Sequence, residues 1–171
     1  MLGQHDLIVM DTVETKTLSH PLAVGLLNHW QEALSQGRLL RREDIPCRAL
    51  ARQLPFLLLY QPLENGADWL YRVAGTALRA RFGVDLTGRR LSDVVIPEQV
   101  RDRSAIWNGL LRERRFHLRK GRVDSAEHEH IEIEIVHLPI EGSRGEGWIL
   151  VGLFFDGSEM YDGRQGALRA K

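Results

Sequence analysis

Residues 67–94 read ADWLYRVAGTALRARFGVDLTGRRLSDV. The stretch opens as a strand, with Trp69, Tyr71 and Val73 alternating against Leu70 and Arg72 in the period of two that a sheet imposes. It closes at Gly75, becomes a short helix over 76–82 that Thr76 is placed to cap, and stops at Gly83. Gly88 permits the next bend, after which Leu91 and Val94 anchor the segment inside. The three glycines lack G-x-G-x-x-G spacing and no Lys–Ser/Thr pair follows them, so this is backbone geometry and not a phosphate loop. Arg72, Arg79, Arg81, Arg89 and Arg90 read as a solvated face interspersed with acids. A single-stranded nucleic-acid reader would need exposed aromatics beside them, whereas Trp69, Tyr71 and Phe82 occupy interior positions.

Working upstream, FLLLYQP (56–62) is apolar on both faces, and ENGAD (64–68) joins it to the opening strand as a hairpin with a loop longer than two residues. Residues 19–36 read as a helix, with Ser19 as cap, Pro21 near the start and Gly37 as the stop. Leu22, Leu26, Leu27, Trp30, Ala33 and Leu34 form its apolar stripe. The connector after it holds a short helix near 47–53. In residues 1–18, Leu7, Ile8, Val9 and Met10 offer a short strand or packing clip, the plain alternative being a frayed end. Downstream, a second long helix covers 97–114, with Val100, Ile106 or Trp107, Leu110 and Leu111 facing inward. Three strands follow at 115–123, 127–138 and 147–155, and the switch of apolar face after Ile135 is read as a bulge near residue 136.

Two strands, 56–60 and 148–155, are apolar without alternation and belong in the middle of a sheet covered on both sides. The arrangement that satisfies this is α+β: a five-stranded antiparallel sheet in the order 2-1-5-4-3, with helices between strands 2 and 3 on one face and the N-terminal amphipathic helix on the other. Residues 19–156 form one domain, with 1–18 and 157–171 as tails. ADWLYRVAGTALRARFGVDLTGRRLSDV, the leader HPLAVGLLNHWQEALSQGRLLRREDIP (20–46), LPFLLLYQ and GWILVGLFF together resemble a bacterial PAS-domain family of small stand-alone proteins. The resemblance covers roughly 19–156 and implies a PAS fold and a role in signalling or regulation.

Size and composition agree with a soluble module. The chain has 171 residues, 43% of them hydrophobic and 27% charged, enough for one independent core. Lys plus Arg and Asp plus Glu are 23 each, so bulk charge gives no reason to expect nucleic-acid binding. The single cysteine, Cys47, excludes a disulfide within the chain and suits a reducing compartment. The N-terminal sequence does not look like a signal peptide, and no apolar run approaches the roughly 18 residues of a membrane span. The expected setting is therefore cytoplasmic, without nucleic acid or membrane as partner.

For chemistry, the PAS resemblance directs attention to a cavity between the sheet and the helices after strand 2. Its expected lining is Tyr71, Val73, Leu78, Phe82, Leu91, Val94, Ile106, Trp107, Leu110, Phe116 and Trp148, suited to a small apolar or aromatic metabolite or simply to a solid core. Nothing specifies a cofactor, and no cysteine lies where a flavin–thiol photoreceptor would need one. In EHEHIEIE (127–134), His128, His130, Glu132 and Glu134 share one strand face, and His117 is a candidate to sit opposite His130. The three histidines resemble an incomplete metal set, but a solvated face, or one touching the leader helix or a partner, explains the pattern better. Ser104 has no G-x-S-x-G context, Cys47 has only an Arg neighbour, and Asp124 and Glu127 have no cleft, so no enzyme is expected. Leu22, Leu26, Leu27 and Trp30 either cover the sheet or meet a partner, which is a second copy or another protein. A constitutive interaction or dimerisation module without ligand is the first alternative function, and a metal-dependent enzyme using His117, His128 and His130 ranks behind it.

Overall fold

The two doubly apolar runs pair with one another inside the sheet, and the rest of the chain is arranged to cover them. The computed structural model describes residues 11–124 and 130–160. Its elements are β1 (Asp11–Thr15), α1 (Pro21–Ser35), β2 (Leu57–Leu63), β3 (Asp68–Ala74), α2 (Thr76–Phe82), α3 (Pro97–Glu113), β4 (His117–Asp124), β5 (His130–Glu141) and β6 (Gly147–Phe155). One antiparallel sheet runs in the order β1-β4-β5-β6-β2-β3. Three short 3-10 turns, Arg42–Asp44, Arg48–Leu50 and Leu54–Phe56, occupy the connector where one helix was expected.

The α+β antiparallel architecture stands, but the sheet has six strands where five were expected, and the order 2-1-5-4-3 gives way to the six-strand order. The added strand is β1, from residues read as tail, which pairs with β4 from Asp11↔Arg122 to Thr15↔Leu118. Its hydrophobic signal is weak because Val13 is 66% exposed. Backbone pairing holds it, helped by Arg119, which donates through Nε to Thr12 Oγ1 at 2.8 Å and through Nη2 to the Thr12 carbonyl. The clip expected at Leu7, Ile8, Val9 and Met10 lies outside the described residues.

Two register readings are corrected. β5 keeps a continuous register with both neighbours through residue 136, so no bulge sits there. Ile133 and Ile135 pack into one apolar cluster and Val136, Leu138 and Ile140 into another, because this strand is covered on both faces. The irregularity lies between β2 and β3, where Leu59 pairs with Val73 and Tyr60 with Tyr71, leaving Arg72 as the extra residue. That residue turns Val73 away from the Trp69–Tyr71 face; Val73 is 44% exposed while Trp69 and Tyr71 are buried.

Helices α2 and α3 cover one face, over a core that includes Tyr71, Leu78, Trp107 and Leu110. The other face is covered by α1 and the connector, with Leu22, Leu26 and Trp30 buried against Val136 and Phe154 and Leu27 half-buried beside them. The leader stripe is therefore committed to its own sheet, each buried Leu contributing about 1.5–3 kcal/mol. Trp30 also donates from Nε1 to the Pro139 carbonyl at 2.8 Å.

The start of α1 is tied to β5. His20, not Ser19, is the N-cap: its Nδ1 accepts from the Leu22 N–H at 3.2 Å and its Nε2 donates to the Phe155 carbonyl at 3.1 Å. Glu134, buried on β5, accepts from the Ser19 N–H at 2.8 Å, the Ser19 hydroxyl at 2.7 Å and the His20 N–H at 2.9 Å, with Lys120 Nζ at 3.3 Å. Burial alone would raise its pKa; the hydrogen bonds from Ser19 and His20, with Lys120, outweigh burial and hold the carboxyl below its ordinary value.

The glycines of the opening stretch do different work. Gly88 has φ +84°, the left-handed conformation that its bend requires. Gly75 has ordinary φ, but a Cβ there would lie 2.2 Å from the Pro55 carbonyl oxygen, where β3 runs into α2 against the connector. It is this glycine, and not Thr76, that occupies the N-cap of α2.

Two stability outcomes are expected. Gly75→Ala should destabilise by about 3 kcal/mol in denaturant titrations and Gly88→Ala by about 1 kcal/mol, because a backbone clash costs more than one strained φ in open space. Glu134→Gln should cost about 1–2 kcal/mol at neutral pH. A depressed folded-state pKa contributes stability that is full above the ordinary 4.5 and lost as pH falls through the lowered value, so wild type and variant should converge in acid.

Candidate ligand cavity

Beneath α3 the apolar face of the sheet is not closed by side chains alone. A cavity of about 310 Å³ lies there, floored by Leu58 and Tyr60 of β2, Val151 and Leu153 of β6, and Ile135 and His137 of β5. Phe82 of α2 and Arg103, Ile106 and Trp107 of α3 roof it, and Thr12, His117 and Arg119 close the side toward β1. This size sits at the lower end of the roughly 300–1,000 Å³ of small-molecule sites.

Aromatic packing fixes the apolar end. Tyr60 stands 4.6 Å from both Tyr71 and Trp107 between ring centroids, and Trp69 meets Trp107 edge-on at 5.1 Å. Trp69 Nε1 donates to the Ser104 hydroxyl at 3.0 Å, and Ser104 in turn donates to the Ala67 carbonyl at 3.3 Å, so Ser104 is a link between α3 and the hairpin. Burial is the first cause that raises the Tyr60 and Tyr71 phenols above their ordinary value, which leaves both neutral.

The polar end is built by register. His117 of β4 lies directly opposite His137 of β5, with ring centroids 5.5 Å apart. Trp107 Nε1 donates to His137 Nδ1 at 2.9 Å. Burial, then the nearby His117 and the Arg103 and Arg119 cations, push the His137 pKa well below its ordinary value. His117 is lowered as well, by burial first, with Glu14 opposing and Arg119 and Arg115 assisting. Both rings are therefore neutral at pH 7.

Of the expected lining residues, Phe82, Ile106 and Trp107 line this cavity. Tyr71, Leu78, Leu91, Val94 and Leu110 lie in the same core cluster around it. Val73, Phe116 and Trp148 are placed elsewhere. Val73 is turned by the extra residue Arg72 and borders a second groove beside the connector, while Phe116 and Trp148 pack on the α1 side of the sheet. His137 was missed although the signal was present: the face carrying Ile131, Ile133 and Ile135 continues at residue 137 once no bulge intervenes.

The expected histidine cluster takes a different form. His130 pairs with Asp124 and not with His117, and His128 lies outside the described residues. Glu134, on that same strand face, meets the start of α1. Among the described residues no group of three or more His, Cys, Asp and Glu side chains is placed to hold a metal ion. Of the arginines in the opening stretch, Arg79 pairs with Asp85 at 3.2 Å and Arg90 with Asp68 at 3.2 Å and with Glu64. Among the described residues no helix is long and apolar enough to cross a membrane.

No curated protein and no solved structure is similar enough to this chain to count as a match. A family model described as a PAS domain (PAS_5) matches residues 18–155, which takes in α1, strands β2 to β6 and the cavity lining apart from Thr12. The chain belongs to this PAS-domain family, a class of sensory and regulatory modules.

Proposed function

We propose that this PAS domain is a ligand-regulated sensory module of the cytoplasm, in which a small molecule occupies the cavity beneath α3 and alters the packing of α1. The observation that carries this reading is the cavity itself, walled by the same strand that anchors the leader helix. Along β5, Ile135 and His137 face the cavity while Glu134 and Val136 face α1. A ligand that shifts β5 therefore acts on both sides of the sheet, because a packed interior transmits displacement. Thr12 adds a second route, since β1 borders the cavity and leads into α1. Output passes to another protein or a second copy, and the ligand must distinguish two packed states to have any effect.

A constitutive interaction module is the second reading. It is favoured by the groove of about 610 Å³ beside the connector, where Val73 is exposed on the outermost strand β3.

Native mass spectrometry of gently purified protein is expected to show a retained small molecule. Val151→Phe, which fills the cavity floor, should abolish it while the protein stays folded. Hydrogen exchange at the start of α1 should differ between the loaded and the stripped protein. A retained mass that survives Val151→Phe places the ligand elsewhere, and identical exchange in loaded and stripped protein favours the constitutive module.

A further inference from the structure

The cavity's polar end leaves two nitrogens without a partner among the described residues, and their chemistry is complementary. Trp107 Nε1–H points at His137 Nδ1, so that nitrogen holds a lone pair and the proton of the neutral ring resides on Nε2. His137 Nε2 is buried and donates to no atom of the described residues. On His117, the Glu14 carboxylate lies 3.9 Å from Nε2, which favours the proton on that nitrogen and leaves Nδ1 as an acceptor. His117 Nδ1 is likewise buried and unpartnered. One cross-strand pair of cavity-lining histidines thus carries an unanswered donor and an unanswered acceptor, in a lining that also holds Tyr60, Phe82 and Trp107.

Resting on the cavity reading above, we propose that the site selects a small, neutral, planar aromatic molecule whose polar edge both accepts and donates a hydrogen bond, of the lactam or phenol class. The acceptor of such an edge satisfies His137 Nε2–H and its N–H or O–H satisfies His117 Nδ1. A carboxylate answers only the donor and confronts the His117 lone pair, so that it is drawn here by Arg103 and Arg119 alone, of which Arg119 is already engaged with Thr12. A cation is disfavoured by Arg103 and Arg119, against which the described lining residues set one acid, Asp102. A metal ion is disfavoured at His137 because Trp107 keeps the proton on the nitrogen that would ligate it. The aromatic walls supply the stacking surface, and the volume of about 310 Å³ limits the guest to one or two fused rings.

Ligand-observed NMR titration of the full chain at neutral pH tests this with four probes of one shape: carbostyril (a bicyclic lactam), naphthol, naphthoate and naphthalene. Carbostyril and naphthol are expected to bind about tenfold or more tighter than the other two, the loss incurred when buried partners go unanswered. His137→Phe and His117→Phe should each bring carbostyril down to the level of naphthalene, with naphthalene binding retained as the sign of a folded cavity. In the wild type, nitrogen-15 shifts should report His137 as the Nε2–H tautomer and should move when carbostyril is added. Naphthalene or naphthoate binding as tightly as carbostyril, or unmoved histidine shifts, would overturn the polar-edge inference and leave the cavity reading intact. No binding by any probe, naphthalene included, would overturn both.

Discussion

The sheet is buried on both faces, and the rest of the structure follows from that constraint. From Trp148 to Phe155 every side chain of β6 is buried, whichever way it points, and the first half of β2 is the same. Neither face can be left to water, so the chain must supply two separate covers, α2 with α3 on one side and α1 with the connector on the other. Strand amides in such a sheet have only their neighbours to bond, which favours long continuous ladders. β5 meets this requirement with nine residue pairs to β6 and eight to β4. The outer positions go to β1 and β3, whose Val13 and Val73 are exposed, and covering is relaxed as well at the Arg122–Glu132 pair of β4 and β5.

Double covering also turns β5 into a shared wall. Successive residues alternate between an apolar cavity face and the face that carries α1, so polar groups on this strand are bound to one side or the other by parity alone. Glu134 falls on the α1 side, where Ser19 and His20 supply the donors that make its burial tolerable. His137 falls on the cavity side, where Trp107 fixes its tautomer. Only two residues along one strand, Ile135 and Val136, therefore separate the anchor of the leader helix from the polar end of the cavity. A rigid ladder links them without any further relay.

What could be read from the sequence follows the strength of its physical signals. Periodicity located α1, α3 and the two doubly apolar strands, because each buries enough apolar surface to leave a pattern. β1 was not legible: in DTVET the one large apolar residue faces solvent, and a strand held by backbone bonds and one arginine has no hydrophobic period to detect. Val73 was assigned to the cavity because a single extra residue, Arg72, reverses parity without marking itself by glycine or proline. The converse error placed a bulge at residue 136, where the change of apolar face reflects a second cover and not a break in register. Cavity residues were harder still. The expectation of Phe82, Ile106 and Trp107 at the cavity rested on the PAS resemblance, whereas pairing His117 with His137 needs a register that no local pattern states.

The cavity's two orphaned nitrogens set a condition on any account of this domain. Leaving a buried donor or acceptor unanswered costs about 1–3 kcal/mol, a sizeable share of the 5–15 kcal/mol by which a domain is folded at all. An apolar side chain at position 137 would extend the run of Ile131, Ile133 and Ile135 and remove that cost. The chain instead holds an imidazole there, keeps it neutral by burial, and uses an indole N–H to decide which of its nitrogens bears the proton. The arrangement satisfies the Trp107 indole, as a backbone carbonyl does for Trp30, and still leaves His137 Nε2 unanswered among the described residues. A guest of the class proposed above would complete it, and departures of this kind from apolar filling concentrate where a fold meets its ligand.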